Sequence, residues 1–150
     1  MQPSAHTTTD ALAGSLLELW QHVLRGGLGR TFSELEGLGL GLPQLKTLDA
    51  LDLYEGEPTV KDLAEQLCLS LPGMSRNVDD LQRRGLLERR EDEHDRRMKR
   101  LRLTDEGRAV LATVNSARLA GLEAFTTTLP DDQRDALSAA LAPILEGLAP

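Results

Sequence analysis

The arginines of this chain are crowded into one stretch and interleaved with acids. Residues 83–102, "RRGLLERREDEHDRRMKRLR", hold nine Lys/Arg and five Asp/Glu, a local charge of +4. The remainder holds 17 − 9 = 8 basic and 24 − 5 = 19 acidic residues, so a chain of net charge −7 carries a basic patch on a background of −11. Positive charge gathered on one surface is chemistry for binding a polyanion, because phosphates respond to the local field even when the far side of a protein is acidic. Residues for covalent or acid–base chemistry are not set out in any such pattern. No nucleophile stands with a base, and "GLGLGL" at 37–42 precedes no strand-to-helix phosphate loop, so an enzyme is not expected. His6, His22 and His94 with Cys68 lack metal-ligand spacing, and neither a metal site nor a cofactor is expected.

The elements on either side of the patch explain how it would be presented. In "PTVKDLAEQL", Thr59 is placed to cap a short helix and Asp62 to return a hydrogen bond to the cap. After the turn "CLSLPGM", Ser70 caps a second helix with Pro72 in its first turn and Leu69 and Met74 as its hydrophobic staple. Met74, Val78 and Leu81 face inward, Gly73, Ser75, Arg76, Asp80, Arg83 and Arg84 face outward, and Gly85 stops the helix. Two short helices joined by a tight turn are a helix-turn-helix. Beyond Gly85 the period changes to two: "LLERRE" and "MKRLRLT" form a hairpin around the charged tip "DEHDRR", with Leu101 and Leu103 inward and Arg100 and Arg102 outward. A helix-turn-helix followed by a basic hairpin is the layout of a winged helix, whose second helix enters the major groove of DNA.

The flanks are helical. Leu16, Trp20, Leu24, Leu28, Phe32 and Leu35 make a four-residue stripe along a first long helix, interrupted by Gly26, Gly27 and Gly29, where bending or fraying is expected. Pro43 opens the next helix, with Leu45, Leu48 and Leu51 on its apolar side. Thr104 caps a helix with Val110, Leu111, Val114, Leu122 and Phe125 on one face. A last helix, entered through Pro130, presents Leu137, Leu141, Ile144, Leu145 and Leu148 and should kink at Pro143. The fold class is therefore mainly α with a small β-wing. With 40% hydrophobic and 27% charged residues the chain is a packed single unit, and 3% aromatic content makes its core aliphatic. No apolar run suits a membrane span or a signal peptide, and the single cysteine agrees with a reducing compartment, so a cytoplasmic protein without membrane partners is expected.

The run "LAEQLCLSLPGMSRNVDDLQRRGLLERREDEHDRRMKRLRLTDEGRAVL" resembles the core of the MarR (multiple antibiotic resistance regulator) family of winged-helix transcription factors, and the flanking helices match in number and order. The most specific part is the wing, R-x-x-D-x-x-D-R-R followed by L-T-x-x-G, from Arg89 to Gly107. The resemblance implies a homodimer held by residues 8–37 and 105–150, a DNA-binding part over about 43–104, and double-stranded DNA as partner. It implies a transcriptional repressor that binds a pseudo-palindromic operator. At the tip it implies that Arg97 enters the minor groove while Asp95 holds its guanidinium. Pro72, Gly73, Ser75 and Arg76 match positions that meet bases and phosphates, Arg76 suiting a bidentate guanine contact. Arg83 and Arg84 look like backbone anchors, and Ser70, Arg96 and Lys99 complete the expected DNA-facing set.

A small anionic or aromatic effector between the dimerisation and DNA-binding parts is a candidate second partner. Trp20 has two readings, core packing and a wall of that pocket. Arg30 is either a counter-ion for such an effector or a solvated side chain. Family members that sense peroxide carry their cysteine near the start of the first helix, so Cys68 is read as a small turn residue. The rival to DNA binding is a winged helix that binds protein instead, which an acidic pI permits and the arginine-rich wing argues against.

Overall fold

The computed structural model describes residues 8–148. His6 lies outside them, as do the last two residues of the expected dimerisation segment. Six helices and one two-stranded antiparallel sheet make up the described residues: α1 (Thr9–Gly37), α2 (Leu42–Leu53), α3 (Val60–Gln66), α4 (Leu71–Arg83), β1 (Leu87–Glu91), β2 (Lys99–Leu103), α5 (Asp105–Thr127) and α6 (Asp131–Leu148). No described helix is long and apolar enough to cross a membrane. The residues form two compact units, one of 31–116 and one of 8–30 with 117–148.

The 31–116 unit holds the buried core. Leu45, Leu48 and Leu51 of α2, Leu63 of α3, Met74, Val78 and Leu81 of α4, and Leu87, Leu101 and Leu103 of the hairpin are buried, with Leu35, Leu111 and Val114 from the adjoining helices. Each such side chain stabilises the fold by about 1.5–3 kcal/mol relative to exposure. Local hydrogen bonds start and stop the helices as their sequences dictate. Thr59 Oγ1 accepts from Asp62 N–H at 3.2 Å and Asp62 Oδ2 accepts from Thr59 N–H at 2.8 Å, closing the box at the start of α3. Ser70 Oγ accepts from Gly73 N–H at 3.2 Å at the start of α4, while Leu69, the outer arm of the expected staple, remains 41% exposed.

Helices α3 and α4 end in the same way with different residues. At the end of α4, Gly85 takes φ +73° and Leu86 N–H reaches Leu81 O at 3.0 Å. At the end of α3, Cys68 takes φ +53° and Leu69 N–H reaches Ala64 O at 2.9 Å. A side chain in this left-handed conformation costs about 1 kcal/mol that glycine does not. Cys68→Gly is therefore expected to stabilise the protein by about 1 kcal/mol, read by urea denaturation. An unchanged or lower midpoint would show that the Cys68 side chain contributes something that offsets its backbone.

In the hairpin, Leu87 pairs with Leu103, Arg89 with Leu101 and Glu91 with Lys99. The free edge of β2 is tied down as well, since Leu101 N–H donates to the carbonyl of buried Pro58 at 2.8 Å. Thr104 joins the hairpin to α5: its Oγ1 donates to Gly85 O at 2.6 Å and accepts from Gly107 N–H at 3.0 Å.

The unit of 8–30 with 117–148 is built differently. In it Gly27 of α1 passes close to Gly121 of α5, where a Cβ on Gly121 would lie 2.8 Å from Gly27 Cα. Helix α1 runs unbroken through Gly26, Gly27 and Gly29, and α6 continues through Pro143. No residue of α6 is buried, and Ile144, Leu145 and Leu148 are exposed together with Leu16, Leu17 and Trp20 of α1. Trp20 is not packed in the core of the single chain, as one expectation had it, but lies on its surface at 62% exposure.

Candidate nucleic-acid interface

The interleaving of acids and bases has a structural answer. Seven of the nine cations between Arg83 and Arg102 are matched to carboxylates of the same unit. Arg83 and Arg84 share Asp80 at 3.0 and 2.9 Å, and Arg89 meets Asp79 at 2.6 Å. Arg90 lies 3.5 Å from Glu57, Lys99 2.9 Å from Glu91 and Arg100 2.6 Å from Asp92, while Arg102 pairs with Glu88. The two that remain, Arg96 and Arg97, are exposed at the hairpin tip and have no carboxylate partner among the described residues. Arg76, exposed on α4, is in the same position. The acids thus neutralise the cations that build the scaffold and leave three guanidinium groups of the 31–116 unit uncompensated.

Several residues expected to face DNA are placed accordingly. Pro72 and Ser70 are exposed at the start of α4, with Gly73 and Ser75 half-buried in its first two turns. Gly73 is held by its N–H bond to Ser70 Oγ and has little room for a side chain, since a Cβ there would stand 3.0 Å from that oxygen. Arg83 projects from the last turn of α4 with its side chain 75% exposed. Lys99 is on the hairpin with its charge met by Glu91.

Two expected roles differ. The Arg84 guanidinium donates to Gly39 O at 2.7 Å as well as pairing with Asp80, so it ties the end of α4 to the connection between α1 and α2. Arg84→Ala is expected to lower the melting temperature by roughly 2–4 °C, in keeping with loss of about 1 kcal/mol from a charged hydrogen bond. An unchanged melting temperature would return Arg84 to the set available for an external anion. At the tip, Asp95 does not hold the Arg97 guanidinium. Its Oδ1 accepts from the Arg97 backbone N–H at 3.0 Å, fixing the main chain and leaving the side chain unpaired. A short side chain two residues from an arginine reaches that residue's amide more easily than the end of its long side chain.

What positions the tip was not evident from the sequence. Asp92 Oδ1 accepts from the backbone N–H groups of His94 at 2.8 Å and Asp95 at 3.0 Å, while its Oδ2 accepts from Arg100 Nε at 2.6 Å. Arg100 Nη1 in turn donates to Glu57 O at 3.2 Å and lies 4.0 Å from Asp62 Oδ2. The Arg100 hydrogen bond, with the two backbone donors, lowers the Asp92 pKa to about 2. Asp62 is lowered chiefly by the Thr59 N–H, and Arg100 is raised chiefly by its bond to Asp92. The signal was present in the alternation of charges, but which acid meets which base depends on the register: Glu88 faces Arg102 and Glu91 faces Lys99 across the ladder.

A depressed folded-state pKa means that the Asp92 contribution is complete above the ordinary carboxylate range and is lost as pH falls toward about 2. In a carboxyl NMR titration Asp92 is expected to be among the last acids of the hairpin to protonate. A midpoint near the ordinary value of about 4 would show that the Arg100 pair does not form in solution.

Trp20 and Arg30 both stand exposed on α1 in the unit of 8–30 with 117–148. Among the described residues, no group of three or more His, Cys, Asp and Glu is arranged to hold a metal ion.

Comparison with known proteins agrees with this layout. The model of the MarR family matches residues 38–98. An uncharacterized HTH-type transcriptional regulator of Bacillus subtilis, YfiV, is 30% identical over 118 residues, covering 73% of this chain and 72% of that protein. Among solved structures, the transcriptional regulator Tm0710 from Thermotoga maritima has a TM-score of 0.77 at 24% identity, over 93% of this chain and 94% of that one. MepR of S. aureus in complex with DNA has a TM-score of 0.69 at 23% identity, over 91% of this chain and 99% of that one. The same protein bound to ethidium bromide has a TM-score of 0.64 at 23% identity, over 91% and 96%.

Proposed function

This chain belongs to the MarR family of transcriptional regulators, and from that premise we propose that it represses transcription by binding a pseudo-palindromic operator as a homodimer. In this reading α4 of each copy lies in a major groove, the two grooves about 34–36 Å apart, and each hairpin tip enters a flanking minor groove. The observation that carries the proposal is the partition of cations, which leaves Arg76 on α4 and Arg96 and Arg97 at the tip uncompensated. Arg76 suits a guanine edge, and a narrow minor groove attracts the tip arginines electrostatically. Ser70, Pro72, Gly73 and Ser75 supply the close approach of the helix start to the backbone, and Arg83 and Lys99 add phosphate contacts at its margins.

The exposed apolar side chains of α1 and α6 support dimerisation through residues 8–37 and 105–150, since a second copy would cover them. A DNA-regulating role supports a cytoplasmic protein that needs no catalytic activity of its own. A small anionic or aromatic effector would release the operator by changing the spacing of the two α4 helices, with Trp20 and Arg30 as the residues offered to it. MepR bound to ethidium bromide is a precedent for a small aromatic ligand on this fold.

Selection of bound duplexes from a random DNA library at two salt concentrations tests the proposal. A two-fold symmetric consensus, with affinity falling steeply as salt rises, is the expected result. No enrichment at either salt would transfer the wing to a protein partner, and an asymmetric consensus would remove the homodimeric operator.

A further inference from the structure

The hairpin tip is a seven-residue excursion, Asp92 to Met98, closed by Asp92 N–H to Met98 O at 3.1 Å and Met98 N–H to Asp95 O at 2.9 Å. Such a loop of polar residues has little apolar contact to hold it, and Met98 is itself 40% exposed. Beyond those two main-chain bonds, its order rests on a path of polar contacts. From the start of α3, Asp62 and the carbonyl of Glu57 reach Arg100; Arg100 reaches Asp92; Asp92 holds the amides of His94 and Asp95; and Asp95 holds the amide of Arg97. Asp92 is the most enclosed member, its side chain 12% exposed, and Arg100 is 32% exposed.

We infer that Arg100 is a positioning residue for the wing: bound to Asp92 and to the segment before α3, it presets the tip so that Arg96 and Arg97 are presented to DNA in a fixed place. Without this brace the tip amides would exchange partners with water, and two arginines on a mobile loop would lose conformational freedom on binding. The brace lies on the stem side of the tip, so Arg100 acts through Asp92 and does not itself meet the nucleic acid. The Arg100 role rests on the DNA-binding reading, whereas the brace itself can be observed without DNA.

The test uses the full chain with Arg100→Gln, with Asp92→Asn, with Arg96→Ala and Arg97→Ala together, and with Arg100→Gln added to that pair. Without DNA, Arg100→Gln should speed amide hydrogen exchange at His94, Asp95 and Arg97 by about tenfold, the loss of one charged hydrogen bond, and leave Leu101 and α4 protected. Unchanged exchange at the tip would overturn the brace. With the selected operator, Arg100→Gln should weaken binding about tenfold, and much less when Arg96 and Arg97 are both already Ala, because the brace serves those two side chains. Additive losses would make Arg100 a direct contact and overturn the positioning role.

Asp92→Asn decides between positioning and simple charge. Removing a negative charge beside a DNA-binding surface should strengthen binding if only the field matters, but should weaken it about tenfold if the brace matters. Arg100→Lys, which keeps the charge and one donor, should restore part of both exchange protection and affinity. Should wild-type protein select no DNA at all, the exchange result still decides whether the brace exists, and only its link to DNA falls.

Discussion

Gly107→Ala should destabilise the 31–116 unit by about 3 kcal/mol, a fall in melting temperature of roughly 6–12 °C. Gly107 is buried in the first turn of α5, where that helix crosses the end of the loop leading into β1. An added Cβ would lie 2.0 Å from Leu86 O, 3.0 Å from Leu86 C and 3.2 Å from Leu103 Cδ2. The obstructing atoms are main chain and cannot swing away as a side-chain end would. Leu86 O also accepts from Thr104 N–H at 3.2 Å, and the Thr104 hydroxyl links Gly85 O to the Gly107 amide. Moving α5 away from Leu86 would therefore loosen the cap as well as the contact. Gly147→Ala on α6 is the control: its Cβ would meet nothing within 4 Å, and the helix should gain up to about 1 kcal/mol. Equal behaviour of the two variants in thermal unfolding would show that α5 can relax away from Leu86 at little cost.

The second large effect concerns charge that looks alike in the sequence and differs in the fold. Arg96→Ala with Arg97→Ala should weaken operator binding by about 100-fold at moderate salt and reduce the slope of log affinity against log salt by about one to two units. Arg102→Ala should change affinity by less than about threefold, although it also removes a basic residue from the same hairpin. The reason is that Arg102 is already matched to Glu88, so its substitution leaves an exposed carboxylate and disturbs a surface pair of small net energy. Binding measured by fluorescence anisotropy across a salt series separates these cases. Similar losses from the tip and from Arg102 would mean that DNA senses the total charge of the wing and that the pairing is irrelevant to recognition.

A good deal of this arrangement follows from local chemistry and was legible in the order of residues. The Thr59–Asp62 box, the Ser70 cap, the Gly85 stop and the Thr104 cap involve partners within a few positions, so the sequence contains both members of each interaction. Alternation in "KRLRL" likewise fixes Leu101 and Leu103 as the buried side of β2, since a strand turns over at every residue. Helix-turn-helix and wing were therefore readable.

The partners that depend on distance were not. Arg84 read as an anchor for phosphate because its outward face is set by helical period, whereas Gly39, 45 positions away, is what it binds. Asp95 was matched to the Arg97 side chain, yet only folding of the tip shows that the carboxylate is taken by a main-chain amide. The glycines of α1 read as weak points, because propensity counts only the missing side chain; that α5 passes close by, so that a Cβ on Gly121 would lie 2.8 Å from Gly27 Cα, is contained in no local rule. Of the two readings of Trp20, core packing follows from the usual burial of large apolar side chains, and the fold of one chain leaves it outside. By itself the sequence determined the elements, their ends and the sign of the charge at the wing, all of which are set by neighbours along the chain. Tertiary structure alone decided which arginines of the 31–116 unit are spent on holding the scaffold and which three of its described ones are left over, because charge pairing is settled by distance in space and by strand register.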